Sequence, residues 1–248
     1  MNKILITGGS GFIGWWLSFG DFEEIHLLNS RSYFADWDQD KWDAIIHLAP
    51  IPIDRVIECA RRCKATVLLA SSGGVYDRNP DDYFRMKLED ERKLLDSGLN
   101  VKIARIFTTC GAYMNWKRYA IGNFIMQAAQ GKPLEVQSYG KAVRSYIYGS
   151  DLAEWLWKIF LDGAPGGIYN VGSDEPHSME EIAFEVASHF DPRPQIDIQR
   201  KLQYEPRPFY IPDITMARDE LGLSIKIPFE KAIRLTVEDY QNEHQLER

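Results

Sequence analysis

Short continuous apolar runs alternate along this chain with longer amphipathic stretches, the pattern of strands buried on both faces by the helices that connect them. Residues 4–6, 24–28, 43–49, 67–70, 101–107 and 168–172 have strand length and read as sheet strands. Helical periodicity or capping residues mark 52–63, 81–96, 120–130, 151–160, 178–189 and 228–241. A helix from Gly14 carries Trp15, Trp16, Leu17 and Phe19 as an apolar side and stops at Gly20-Asp21. In 151–160 the packed side is Leu152, Trp155, Leu156 and Ile159, so these tryptophans read as core; Ser178-Met179-Glu180-Glu181 is a capping box. Too few residues separate Arg31 from Asp36 for a crossover helix, so the sheet is abbreviated there, with 33–37 as a vestigial strand. Short strands are also expected at 133–136 and 196–198.

Thr7-Gly8-Gly9-Ser10-Gly11-Phe12-Ile13-Gly14 joins the first strand to the first helix. Glycines at 8, 11 and 14 permit a tight turn, close backbone approach to a pyrophosphate, and close helix–strand packing. The N–H groups of the helix start at Phe12 and Ile13 would receive the phosphate, which predicts a bound dinucleotide. The second strand ends in Asn29-Ser30-Arg31, where such folds read the adenosine ribose; Asp36 lies just beyond. An acid at that tip would repel a 2′-phosphate, whereas a neutral and cationic tip favours NADP over NAD. The alternative for Arg31 is an ordinary solvated loop arginine.

With 248 residues the chain can hold a nucleotide-binding core and a smaller lobe. Its formal net charge of -7 and pI of about 5.3 argue against a nucleic-acid or anionic-membrane partner. No apolar run reaches membrane-spanning length, and Met1 leads into the first strand without a signal segment, which predicts a cytoplasmic protein. Cys59, Cys63 and Cys110 show no paired metal spacing and read as reduced, mostly buried thiols, with no metal expected. His177 and His189 read as solvated.

Two constellations carry chemistry. Tyr83 and Lys87 stand four apart on one helix face, after a strand that ends in Ser71-Ser72. The lysine charge favours the phenolate, so the tyrosine exchanges a proton near neutral pH while a serine hydroxyl holds the substrate oxygen. His47 is either an acid-base group or, inside its apolar run, a hydrogen-bonded core histidine.

These motifs together resemble the extended short-chain dehydrogenases/reductases of the sugar-nucleotide epimerase, dehydratase and ketoreductase group, and the likeness spans nearly the whole chain. Thr7 to Gly14 is similar to that family's T-G-x-x-G-F-I-G turn, and His47-Leu48-Ala49 to the strand end beside the nicotinamide ribose. The resemblance implies Ser72 as catalytic hydroxyl, Tyr83 as acid-base, and Lys87 as the lysine that also holds the ribose. Arg105-Ile106-Phe107 with Gly111 resembles R-x-F-N-x-x-G, although Thr108 replaces the asparagine. Arg144 to Asp151 resembles R-x-x-I-x-V-x-D, which implies that Arg144 contacts the substrate diphosphate and Asp151 starts a helix. Asn123 would contact the same substrate, and Arg207 would supply a second diphosphate arginine.

The implied fold is α/β, a Rossmann-type doubly wound parallel sheet with a small C-terminal substrate-binding lobe. The core would comprise 1–112 and about 142–175, the lobe about 113–141 and 176–241, and 242–248 a frayed tail. Dehydratases of the group place an acidic pair after the catalytic hydroxyl, and its epimerase-reductases a cysteine at the position of Gly74. Here Ser72 precedes Gly73-Gly74, which leaves hydride transfer alone. The expected reaction is NADPH-dependent reduction of a nucleotide-linked 4-keto-6-deoxyhexose; an NAD-dependent 4-epimerase and a non-catalytic dinucleotide-binding protein are the alternatives. The group forms homodimers through a four-helix bundle, here 52–63 and 81–96. Arg61, Arg62 and Lys64 would pair across it with Glu89, Asp90 and Glu91, or form solvated faces.

Overall fold

The computed structural model describes residues 3–29, 37–137, 140–199 and 208–245. The chain runs β1 (Lys3–Thr7), α1 (Phe12–Leu17), β2 (Glu24–Leu28), β3 (Ala44–His47), α2 (Ile53–Cys63), β4 (Thr66–Ser72), α3 (Asp82–Leu95) and β5 (Val101–Ile106). Then follow β6 (Thr109–Cys110), α4 (Ala120–Ala129), β7 (Leu134–Val136), β8 (Val143–Arg144), β9 (Ile147–Tyr148), α5 (Gly149–Asp162) and β10 (Ile168–Val171). The last elements are β11 (His177–Ser178), α6 (Met179–Ser188), β12 (Ile196–Ile198), β13 (Phe209–Tyr210), α7 (Thr215–Leu221) and α8 (Phe229–Gln245). Contacts divide the chain into two units, Met1–Phe107 with Leu152–Val171 and Asp213–Ser224, and Thr108–Asp151 with Gly172–Pro212 and Ile225–Arg248.

In the first unit six parallel strands lie in the order β10-β5-β4-β3-β1-β2, a doubly wound sheet of Rossmann type. Such a sheet must be covered on both faces, which is why its strands are near-continuous apolar runs. Leu5, Ile45, Leu69 and Ile103 meet Ile53, Val56 and Ala60 of α2 in one buried cluster. Their strand neighbours Ile4, Ile46 and Leu68, which point the other way, are equally inaccessible. The winding reverses between β1 and β3, and folds of this kind bind ligands at the carboxyl ends beside that reversal. Segment 213–224 joins this unit because α7 packs on β10 and Tyr169 Oη donates to Glu220 Oε2 at 3.0 Å.

Several expectations need correction. Phe19 is 67% exposed, because α1 ends at Leu17 and only Gly14 and Leu17 of it are buried. Trp37 opens a 3-10 turn rather than closing a strand; it is buried, with the Arg55 guanidinium over its ring and its carbonyl accepting from Trp42 Nε1. The rest of the expected vestigial strand, 33–36, lies outside the described residues. Of the charges expected to pair across a dimer or form solvated faces, Glu91 is buried in the fold, and Arg62 donates to the carbonyls of Asp38 and Asp40. Lys93 bridges instead within the chain to Asp54, from α3 to α2, at 2.8 Å.

The second unit contains the sheet β11-β8-β13, the pairs β12-β7 and β6-β9, and helices α4, α6 and α8. The capping box forms: Ser178 Oγ accepts from Glu181 N, and Glu181 accepts from Ser178 N. Asp151 lies inside the first turn of α5 rather than at its cap, and Oδ2 accepts from Lys226 N and Ile227 N. The expected tail is helical through Gln245 because Glu243 accepts from Tyr113 N and Trp116 Nε1, while His244 stacks on Tyr240. His177 and His189 are half-buried, the first stacked on Phe229 and the second paired with Glu185. Among the described residues no helix is long and apolar enough to cross a membrane.

Leu69 is central to the sheet core, so Leu69→Ala is expected to cost about 2–5 kcal/mol of unfolding free energy in urea. A loss under about 1 kcal/mol would contradict this packing.

Candidate active site

β1 ends at Thr7, and the chain turns at once through Gly8, whose φ of 79° is left-handed and suits glycine. Gly8 N and Gly9 N both donate to Leu28 O, at 2.9 and 3.0 Å, which ties the turn to the end of β2. A Cβ on Gly14 would lie 2.5 Å from Gly8 O and Gly9 Cα, so glycine lets α1 close against the turn. A Cβ on Gly11 would lie 3.3 Å from Gly8 O. The result is bare backbone at the start of α1, where helix geometry leaves the N–H groups of Phe12 and Ile13 without intrahelical acceptors. These residues fit the pyrophosphate of a dinucleotide.

Thr7 also organises the neighbouring strand end. Its Oγ1 accepts from Leu48 N at 3.1 Å and Ala49 N at 3.4 Å, and lies 2.8 Å from His47 Nδ1. With two donors already received, the hydroxyl gives its hydrogen to Nδ1, and His47 carries its own proton on Nε2. The ring also hydrogen-bonds the Ile51 backbone. Burial, and then the charge of Lys87, push its pKa down to about 3, so His47 is a neutral core histidine.

β4 delivers Ser72 at its carboxyl end, where Ser72 Oγ accepts from Gly74 N at 3.2 Å and starts the 3-10 turn Gly73–Tyr76. Asp81 caps α3 by accepting from Phe84 N. One turn on, Lys87 is 5% exposed and donates from Nζ to Ala70 O at 3.1 Å, two residues before Ser72. Burial lowers its pKa, while Asp90 and Glu91 oppose the shift. Tyr83, on the first turn of α3, is 48% exposed with its ring edge-on to Phe84. The Ser72 hydroxyl and the buried Lys87 ammonium thereby meet the end of β4, while Tyr83 stands one turn before Lys87 on α3.

The space beside Ser72 is filled by rings. A Cβ on Gly73 would lie 2.5 Å from Phe107 Cε2, and one on Gly74 would lie 2.2 Å from Phe84 Cε1. A side chain at either position would displace the ring packed on it. Sequence reasoning missed Phe84, since an aromatic beside Tyr83 carries no motif of its own, and read Phe107 only as part of the Arg105-Ile106-Phe107 segment, not as a neighbour of Gly73.

In the second unit Asn123 is exposed on α4, 3.4 Å from Lys117 O. Arg144 of β8 stands in register with His177 of β11 and Tyr210 of β13, so the three share one sheet face. Its Nη1 donates to Val143 O at 2.8 Å. Asn29 follows β2 and is exposed, Leu48 is half-buried and Ala49 buried. Ser30, Arg31, Asp36 and Arg207 lie outside the described residues.

The model of the NAD dependent epimerase/dehydratase family matches residues 51–172. UDP-glucuronic acid decarboxylase 5 of Arabidopsis thaliana is 27% identical over a span of 306 residues that covers 96% of this chain and 89% of the relative. That span exceeds the 248 residues here, so the relative carries segments that this chain lacks. The Bordetella bronchiseptica enzyme WbmF in complex with NAD+ and UDP matches with a TM-score of 0.85 at 19% identity, over 99% of this chain and 94% of that one. UDP-glucose 4-epimerase of Thermotoga maritima with UDP-glucose matches with a TM-score of 0.84 at 18% identity, over 98% and 99%.

The buried imidazole makes a pH prediction. From its ordinary 6.5, the value in the unfolded chain, the pKa of His47 falls to about 3 in the fold. Between those values the unfolded chain binds the extra proton, so stability is lost as pH falls below about 6.5, by about 1.4 kcal/mol per pH unit. His47→Gln should flatten the urea-derived stability profile between about pH 4 and 6.5 by nearly one proton. An unchanged slope would contradict the assignment.

Proposed function

We propose that this chain, a member of the NAD dependent epimerase/dehydratase family and an enzyme of the extended short-chain dehydrogenase/reductase group, reduces a nucleotide-linked 4-keto-6-deoxy sugar with NADPH. A bound nicotinamide supplies the hydride. In this reading Tyr83 gives its phenolic proton to the carbonyl oxygen as charge develops there. Ser72 donates a hydrogen bond to the same oxygen. The Lys87 ammonium favours the phenolate that remains and holds the ribose, while Gly8, Gly11, Phe12, Ile13 and Gly14 take the pyrophosphate, beside Leu48 and Ala49 at the ribose. Arg144 and Arg207 would bind the sugar-nucleotide diphosphate, with Asn123 on the same substrate.

The observation that carries the reading is the Gly73-Gly74 turn packed by Phe107 and Phe84. Water elimination needs a further acid and base, and a glucuronic acid substrate brings a carboxylate to accommodate; beside Ser72 the wall is aromatic and offers neither group. Addition of hydride with protonation of the oxygen needs only Tyr83, Ser72 and Lys87. NADP rather than NAD follows from a ribose-reading tip, Asn29-Ser30-Arg31, that has no acid. A 4-epimerase would use the same three groups with NAD retained, and the cofactor separates the two. A homodimer through α2 and α3 belongs to the reading, with the exposed Met86 and Leu95 of α3 as its apolar contribution.

Incubation with NADPH and UDP- or dTDP-linked 4-keto-6-deoxyhexoses is expected to consume one NADPH per sugar reduced. Tyr83→Phe should lower kcat by about 100-fold or more while the NADPH Kd stays within about twofold. Undiminished turnover in that variant would remove the assignment, and a clear preference for NADH would favour the epimerase.

A further inference from the structure

Glu91 stands one helical turn beyond Lys87 on α3, its side chain only 2% exposed. None of the steps assigned to Ser72, Tyr83 and Lys87 uses it. A carboxylate is costly to bury unless it is paired and hydrogen-bonded, and here three donors converge on it. Arg105 grips it with two parallel bonds, Nε to Oε1 at 3.1 Å and Nη2 to Oε2 at 2.6 Å. Ser71 Oγ donates to Oε1 as well.

The two residues that supply these donors belong to different strands of the site. Ser71 directly precedes Ser72 on β4, and Arg105 is its register partner on β5. The Arg105 guanidinium lies 4.7 Å from the ring centroid of Tyr76, the last residue of the turn that contains Gly73 and Gly74. Tyr76 Oη in turn donates to Asn170 Oδ1 on β10 at 3.0 Å. One buried carboxylate thus joins the helix that bears Tyr83 and Lys87 to the strand and turn that bear Ser72.

We propose that Glu91 and Arg105 are positioning residues, which set the Ser72 hydroxyl against the Tyr83 phenol and the Lys87 ammonium; the inference rests on the reading of those three as catalytic. A buried ion pair adds little net stability over an apolar pair of equal volume, but a two-pronged one fixes distance and angle. Misplacement of reacting groups by about 1 Å costs on the order of 100-fold in rate.

The test uses the full chain with NADPH and UDP-4-keto-6-deoxyglucose. Glu91→Gln keeps the size and the Ser71 bond but removes the charge that Arg105 grips; Arg105→Lys keeps a charge but loses the fork. Both are expected to lower kcat by about 10- to 100-fold, with sugar KM and NADPH Kd within about twofold of the parent. Ser71→Ala, which leaves the ion pair intact, is expected to lose several-fold in kcat alone, and Arg105→Lys decides the matter should Glu91→Gln not fold. A parental kcat in folded Glu91→Gln, or in Arg105→Lys if the former is unfolded, would overturn the proposal. So would a loss of cofactor affinity equal to the loss of kcat. Tyr83→Phe runs alongside: parental turnover in it would fault the catalytic reading itself, independently of Glu91.

Discussion

Thr7 carries one hydroxyl between two strand ends, and the cofactor side of the site depends on what that oxygen does. It receives the N–H groups of Leu48 and Ala49 and returns its own hydrogen to His47. Those strands, β1 and β3, flank the point where the sheet reverses its winding, and beyond their last ladder pair the hydroxyl adds to a single backbone bond, Leu48 N to Thr7 O at 3.2 Å. The glycine turn leaves from β1 at Thr7, and the Leu48-Ala49 segment leaves from β3. Fixing them to each other fixes the two sides of the expected dinucleotide cradle. Burial first, and then the Lys87 charge, keep this interior histidine neutral, while its hydrogen bond to the Ile51 backbone works the other way.

A comparable economy governs the reacting side. Ser72 and Lys87 come from a strand end and a helix, and both are reached through backbone: Ser72 Oγ accepts from Gly74 N, and Lys87 Nζ donates to Ala70 O. Glu91 and Arg105 then tie helix to sheet behind them. What the site omits is as specific as what it contains. Gly73 and Gly74 are closed by Phe107 and Phe84. The chemistry we assign is accordingly the smallest that the Ser72, Tyr83 and Lys87 set supports.

Much of this was legible in the residues because two-sided burial writes itself as continuous apolar runs; the strands expected at 43–49 and 67–70 are β3 at 44–47 and β4 at 66–72. The Tyr83–Lys87 spacing, the Ser72 strand end and the capping box at Ser178 were equally open, since each is a local pattern. Features that depend on distant partners were not. Glu91 sits in a Glu-Asp-Glu run that reads as a solvated face, and only Arg105, on β5, makes it a buried one. Phe19 reads as helix core, yet α1 ends before it can turn inward. Residues 242–245 read as tail because Tyr113 and Trp116, which hold Glu243, are more than a hundred positions away in sequence.

The central claim, hydride transfer with nothing lost from the sugar, is tested most directly with NADPH deuterated at the transferring C4 position and a nucleotide-linked 4-keto-6-deoxyhexose, followed by mass and magnetic-resonance analysis of the product. The account predicts one deuterium on the former carbonyl carbon of an otherwise intact sugar, with NADP+ released in equal amount. A product that has lost water or carbon dioxide, or an unlabelled sugar inverted at C4 with no net oxidation of the cofactor, would contradict it.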